Sequence, residues 1–96
     1  MRYFFYINRP DRRTVVIADE NKDRVELYPP ERANDCSARK SDWLDYYRGL
    51  DEDGRKTIMF EICEAQFKKF AETGKTPDCH DAYFVAERKK AGKPMP

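Results

Sequence analysis

Residues 2–7 read RYFFYI, a run of aromatic and β-branched side chains that is typical of a β-strand. Two similar segments follow: RTVVIA at residues 13–18 and RVELY at residues 24–28. The separators, residues 8–12 and 19–23, are short and polar, which suits hairpins and excludes the long crossover that parallel strands need. The first part of the chain therefore predicts a three-stranded antiparallel meander.

Helical patterns follow the strands. Ser41 and Asp42 are typical of a helix N-terminus, and a first helix is predicted from there to about Arg48, with Gly49 at a left-handed C-terminus. A second, longer helix is predicted over residues 52–73, ending at Gly74, because apolar residues at helical spacing form one broad side of it.

The last part of the chain opens with Thr76 and Pro77, which favour a third helix from Pro77 to about Lys90. A short edge strand at residues 83–85 is the alternative for this segment. Because 96 residues suffice for one core, we expect a single domain over residues 1–92 and a flexible C-terminal tail at residues 93–96.

Strands followed by helices predict the α+β class, with two or three helices packed on one face of the meander and the helix over 52–73 at the centre. The apolar positions of these elements make up the predicted core: Val15, Ile17, Val25, Leu27, Trp43, Ile58, Ile62, Phe67 and Phe70.

The composition of the chain excludes several classes of protein function. The net charge of +1, from 19 basic and 18 acidic residues, excludes an acidic DNA mimic and a generally basic nucleic-acid coat. No apolar run approaches the length of a membrane span, and we expect no signal peptide and no membrane partner. Three widely spaced cysteines do not form the even, dense set of a secreted disulfide domain, so we expect reduced thiols and a cytoplasmic protein.

The first strand carries aromatic rings on both faces, since alternate residues point to opposite sides of a strand. If the helices cover the Phe5 face, an aromatic and arginine surface forms on the outer face of the sheet. This surface is the candidate partner-binding site, and it consists of Phe4, Tyr6, Tyr28, Arg2 and Arg24. Tyrosine and arginine are enriched at protein interfaces, so the first interpretation is an interface with a protein partner.

The same rings also suit single-stranded RNA or DNA, whose bases stack on aromatic side chains. In that alternative, phosphates would contact a basic loop with Arg9, Arg12 and Arg13 and the basic C-terminal residues Lys89 and Lys90. A third interpretation is purely structural. The first strand would be central and buried on both sides, or the third helix would pack on the outer face, and no site would exist there.

Candidates for catalysis and metal binding are weak. Cys79 and His80 are adjacent on a predicted helix and point about 100° apart, which makes joint metal ligation difficult, and a metal site would need Cys36 and Asp81 to converge on them through the fold. A Cys36 and His80 nucleophile pair is the enzymatic alternative. The sequence contains no glycine-rich phosphate loop and no GxSxG, HExxH or CxxC motif. We therefore expect no catalytic residue, metal or cofactor.

These observations together predict a small, non-enzymatic cytoplasmic protein that acts through protein–protein interaction. This class includes inhibitors, adaptors and assembly factors, some of them encoded by phages or mobile elements. The expected partner is another protein or a second copy of the chain in a homodimer. The alternative is a single-stranded RNA or DNA-binding module that uses the aromatic sheet face and the basic loop.

Overall fold

The computed structural model of this chain describes residues 1–9, 12–34 and 36–78. Its elements in chain order are β1 (Arg2–Arg9), β2 (Arg12–Ala18), β3 (Glu26–Tyr28), a 3-10 helix (Pro30–Asn34), α1 (Lys40–Gly49), α2 (Gly54–Thr57), β4 (Met59–Ile62) and α3 (Glu64–Thr73). The α+β class predicted from the order of the segments is confirmed.

The described strands form one antiparallel sheet in the order β3-β2-β1-β4. Phe4 lies opposite Val16 of β2, which in turn lies opposite Leu27 of β3. Phe5 lies opposite Val15 of β2 on one side and Phe60 of β4 on the other. The first strand is therefore one of the two inner strands of the sheet.

Side chains that alternate along these strands build a cluster on each face of the sheet. The α1-side cluster consists of Phe4, Val16, Ala18, Val25, Leu27, Trp43 and Met59. The α3-side cluster consists of Phe5, Val15, Phe60, Ile62 and Phe70. Trp43 of α1 and Phe70 of α3 thus cover opposite faces, and β1 is buried on both.

Two details of the predicted architecture are wrong. The described sheet has four strands rather than three, and its helices lie on both faces rather than on one. The reason is the composition of β1. Because Phe4 and Phe5 are adjacent large apolar residues on opposite faces, both faces need a covering layer, and the burial of both sides stabilises the strand.

The long helix predicted over residues 52–73 is wrong in its first half. This segment contains the short α2, then β4, and only then α3. Met59 and Phe60 are neighbours in sequence and are both buried, on opposite faces of the sheet, which is the pattern of a strand covered on both faces and not of a one-sided helix. The end of this segment is as predicted, since α3 ends at the left-handed Gly74.

The first helix is confirmed, since α1 spans Lys40–Gly49. Gly49 is not its left-handed terminus, because the following residue, Leu50, is extended and the left-handed backbone of the described glycines occurs at Gly74. The indole N–H of Trp43 donates to the carbonyl of Ser37 at 2.7 Å, which anchors α1 to the preceding loop.

Most of the predicted core is confirmed. Six of the nine residues are buried: Val15, Val25, Leu27, Trp43, Ile62 and Phe70. Ile17 and Phe67 are half-buried against the α3-side cluster, whereas Ile58 is exposed at the turn between α2 and β4. The prediction left out Phe4, Phe5 and Met59, which are among the most buried side chains.

Several predictions concern residues outside the described part of the chain. Pro77 and Asp78 are described as non-helical, and the rest of the predicted third helix, its alternative strand at 83–85 and the tail at 93–96 lie beyond residue 78. Within the described residues, no helix has the length and apolar character needed to cross a membrane.

Candidate functional site

The aromatic surface predicted for partner binding does not form as one surface. Phe4 is 1% exposed and belongs to the α1-side cluster. Tyr6 packs partly exposed beside the same cluster, but Tyr28 packs against the α3-side cluster, on the opposite face of the sheet. The structural interpretation, in which the first strand is buried on both sides, accounts for Phe4. A base-stacking platform made jointly of Phe4, Tyr6 and Tyr28 has no geometric basis.

The two arginines of that predicted surface have separate positions. Arg2 pairs side by side with Glu61 of β4, with Nε and Nη2 donating to the carboxylate at 2.9 and 2.8 Å. Its guanidinium also lies 5.6 Å from the centre of the Phe4 ring. Arg24 is exposed and forms an isolated antiparallel bridge with Arg39 in front of α1. Arg2 therefore ties β1 to β4, and Arg24 lies at another edge.

A pair of partly exposed side chains does remain on the α1 side, and we call it the tyrosine surface: Tyr6 and Tyr46. The ring of Tyr6 meets the buried Trp43 edge to face at 4.9 Å and Tyr46 of α1 edge to face at 5.9 Å. Tyr46 is 43% exposed and Ile58 is 36% exposed. Ile58 precedes β4 beside Ile7, since its carbonyl accepts from the Ile7 amide at 2.9 Å, and the side chain of Ile7 packs against the α3-side cluster.

The environment of Tyr6 keeps its phenol neutral. Burial raises the pKa of Tyr6 above its ordinary value, and the neighbouring Tyr46 and Cys36 raise this pKa further. A hydrogen bond between the two tyrosine hydroxyls acts in the same direction. The neutral hydroxyl of Tyr6 can both donate and accept hydrogen bonds.

Charged side chains border the C-terminal end of α1. The guanidinium of Arg55 lies 5.2 Å from the ring centre of Tyr47 and donates to the carbonyls of Tyr47 and Arg48 at 3.3 and 3.1 Å. A cation near the last carbonyls of a helix interacts favourably with the helix dipole. Arg55 therefore fixes α2 to the last turn of α1.

A concave site lies on the opposite face, beside the α3-side cluster. We call it the arginine cleft, and it is lined by Arg13, Tyr28, Pro29, Arg32, Phe70 and Gly74, with Ala71 at its side. Its volume is about 410 Å³. Arg13 and Tyr28 come from different predicted sites, and the pairing of β2 with β3 brings them to one place, since Val15 lies opposite Tyr28.

A second cleft of about 510 Å³ lies in front of α1 and includes Arg24, Arg39, Lys40 and Arg48. Unlike the arginine cleft, it also contains two carboxylates, Asp23 and Asp45. Arg48 lies 3.5 Å from Asp45, and the ammonium of Lys40 donates to the carbonyls of Asp19 and Glu20 at 3.0 and 3.3 Å. Because its lining mixes basic and acidic side chains, and some of these already bond within the protein, this cleft is less selective for a ligand of one charge than the arginine cleft.

The structure describes some of the remaining predicted residues and not others. Arg13 is exposed on β2, and the backbones of Arg9 and Arg12 pair at the end of the β1–β2 hairpin. Lys89 and Lys90 lie outside the described residues, and so do Cys79, His80 and Asp81 of the weighed metal and nucleophile sites. Cys36 is half-buried against the α1-side cluster. In the described ranges, no group of three metal-ligating side chains comes together.

Sequence reasoning missed Tyr46 and Arg32. Tyr46 lies outside the apolar stripe of α1, and an exposed aromatic residue on a helix is a usable signal for a binding surface. Arg32 belongs to a polar connection between β3 and α1, and nothing in its neighbourhood distinguishes it from other surface arginines. Its position becomes significant only when Tyr28, Phe70 and Arg13 come together around it.

Comparison of the chain with protein-family models, with curated proteins and with solved structures finds no match in any of the three.

Proposed function

We propose that this chain is a non-enzymatic binding protein, of inhibitor, adaptor or assembly-factor type, that binds a protein partner through the tyrosine surface. The observation that supports this proposal is the exposed ring of Tyr46, which is held against Tyr6 and backed by the buried Trp43.

The tyrosine surface is held in place before any partner binds. Tyr6 contacts a buried tryptophan on one side and Tyr46 on the other, in edge-to-face contacts that restrict both rings. A tyrosine has only two side-chain torsions to order, so it contributes contact area at a low cost in conformational entropy. A restricted pair of rings has even less freedom to lose on binding, which favours affinity.

The chemical composition of this region resembles that of an interface. Tyr46 provides apolar area, and the two tyrosine hydroxyls provide donors and acceptors. Charged residues, including Arg55 and the exposed Asp45, lie nearby on α2 and α1. Protein interfaces combine apolar or aromatic anchors with a polar rim, and tyrosine is among the residues that contribute most to binding energy.

The first test is truncation of the anchor. We expect Tyr46→Ala to weaken binding of the partner by about 10-fold to 30-fold, the range for an interface residue of high energetic importance. The melting temperature should change little, since Tyr46 is 43% exposed. Partner capture from a lysate of the cells that encode this chain supplies the ligand, and calorimetry with the purified partner then measures the dissociation constant.

Two variants serve as controls. Tyr46→Phe keeps the ring and removes the hydroxyl, so it separates the contribution of apolar contact from that of hydrogen bonding. Lys69→Ala changes an exposed residue on α3, on the other side of the sheet, and should leave binding unchanged. Equal binding by the wild type and Tyr46→Ala, or an equal loss in Lys69→Ala, would overturn the proposed role of the tyrosine surface.

A second copy of the chain is the other candidate partner. Light scattering coupled to size exclusion measures the mass of the purified protein as its concentration rises. A dimer that Tyr46→Ala converts to a monomer supports the tyrosine surface as a self-interface. A dimer that persists in Tyr46→Ala places the self-contact elsewhere and contradicts this form of the proposal.

A further inference from the structure

The arginine cleft combines two guanidinium groups, and none of its described lining residues is a carboxylate. Arg13 reaches it from β2 and Arg32 from the 3-10 helix that follows β3. This differs from the cleft in front of α1, where Asp23 and Asp45 accompany the cations. Two positive charges with no carboxylate among the described lining residues produce a local preference for an anion.

Arg32 has unused hydrogen-bonding capacity. Its Nε atom is buried from solvent, and no hydrogen-bond acceptor is found for it in the structure as described. A buried donor without an acceptor is unfavourable, and the effect is larger for a charged group. Arginine carries five N–H donors, and an oxyanion in the cleft would accept from the Arg32 guanidinium in a charge-assisted bond, which is among the stronger hydrogen bonds in proteins.

The remaining walls of the cleft are flat and apolar. Tyr28 and Phe70 contact each other edge to face at 6.2 Å, and Pro29 continues the wall beyond Tyr28. The volume of about 410 Å³ is within the range of small-molecule sites. The aromatic walls therefore suit a ring that is joined to the anionic group, because ring edges and faces pack favourably against each other.

One feature of the cleft acts against an anion. Gly74 lies at the C-terminus of α3, where the helix dipole is equivalent to about half a negative charge. The hydroxyl of Tyr28 approaches the carbonyl of Ala71 at 3.4 Å, and the amide of Gly74 donates to the carbonyl of Phe70 at 2.8 Å. These contacts reduce the field of the carbonyls, and two full positive charges outweigh the remainder.

We propose that the arginine cleft binds a small ligand that carries one oxyanion group, a phosphate or a carboxylate, on a planar ring. Arg32 and Arg13 hold the oxyanion, and Tyr28 and Phe70 pack against the ring. This site is independent of the tyrosine surface, because the two lie on opposite faces of the sheet.

Titration of the ¹⁵N-labelled protein with three probes tests the proposal. Phenyl phosphate and benzoate each present a ring with an oxyanion, and inorganic phosphate presents the oxyanion alone. We expect saturable chemical-shift changes around Tyr28, Arg32 and Gly74, with tighter binding of a ring compound than of inorganic phosphate. The stronger of the two ring compounds identifies phosphate or carboxylate as the preferred group.

The variants assign the interaction. Arg32→Gln should weaken binding of the preferred probe by about tenfold or more, as expected for the loss of a charge-assisted hydrogen bond. Arg32→Lys should restore binding only in part, because lysine keeps the charge but lacks the planar fork. Arg13→Gln, on an exposed position, provides a second test if Arg32→Gln does not fold.

Arg39→Gln is the matched control, since it removes the same charge from the cleft in front of α1. Its dissociation constant should equal that of the wild type. The proposal is overturned if Arg39→Gln loses as much affinity as Arg32→Gln, if shifts map outside the cleft, or if none of the probes saturates. Equal binding of phenyl phosphate, benzoate and inorganic phosphate overturns the role of the aromatic walls.

Discussion

Thr14 is a buried polar residue on the α1 side of the sheet. It lies on β2 opposite Tyr6 and is only 1% exposed. Its Oγ1 atom is buried, and no partner is found for it among the residues that the structure describes. A hydroxyl that loses water without gaining a hydrogen bond reduces the free energy of unfolding.

We expect Thr14→Val to increase the free energy of unfolding by about 1 kcal/mol, because valine has a similar shape and removes the unsatisfied group. Urea denaturation measures the change. A decrease in stability would show that the hydroxyl has a partner in solution, such as an ordered water molecule. Thr57→Val is a useful contrast, since the Thr57 hydroxyl donates to the Asp53 carbonyl at 2.9 Å.

At the scale of elements, both ends of α3 are well defined. At its start, the amide of Cys63 donates to the side chain of the buried Gln66 at 3.1 Å, and the amide group of Gln66 donates to the carbonyl of Asp78 at 3.3 Å. At its end, Gly74 has a φ of 72°, a left-handed conformation that disfavours residues with a Cβ atom. Gln66 and Gly74 therefore determine where this covering helix begins and ends.

Two glycine substitutions test this assignment as a pair. Gly74→Ala should lower the free energy of unfolding by about 1 to 2 kcal/mol, because of the left-handed backbone and despite the open space around the position. Gly49→Ala, which also faces open space but lies in α1 with no left-handed backbone, should raise it by about 0.5 kcal/mol. Equal effects in urea denaturation would contradict the difference between the two helix ends.

At the scale of the whole molecule, one sheet connects two apolar layers. Adjacent residues of β1 and of β2 belong to different clusters, so the α1-side and α3-side clusters share these two strands. If one cluster lost its packing, it would expose one face of strands whose other face is covered by the second cluster. Trp43, the single tryptophan of the chain, reports on the α1 side alone. The shared strands predict that both layers unfold together.

A substitution on the α3 side, combined with a fluorescence probe on the α1 side, tests whether the two clusters unfold together. Phe5→Leu removes part of a fully buried ring and should lower the free energy of unfolding by about 1 to 2 kcal/mol. We expect the midpoints from Trp43 fluorescence and from circular dichroism to shift equally. A shift seen only by circular dichroism would show that the two layers unfold separately. Glu72→Ala, on the exposed side of α3, should move neither midpoint.

Local patterns in the sequence were sufficient for much of this fold. The three N-terminal strands, their antiparallel hairpins, α1 and the end of α3 at Gly74 all follow from alternation, turn residues and helix termini, which act over a few residues. The same local information misassigned residues 59–62, because an apolar run of this length fits a helix and a strand equally well. Pairing with β1, more than 50 positions earlier, decides between them.

The candidate sites depended still more on tertiary structure. Alternation along each strand was determined by the sequence, but the register between strands was not. Because Val16 pairs with Leu27 and Val15 with Tyr28, Tyr28 lies on the face of Phe5 and away from Phe4. A shift of one residue would have placed Tyr28 on the face of Phe4. The sequence by itself thus determined which residues can share a face of one strand, whereas the pairing between strands decided which faces meet, since backbone hydrogen bonds alone do not select a register.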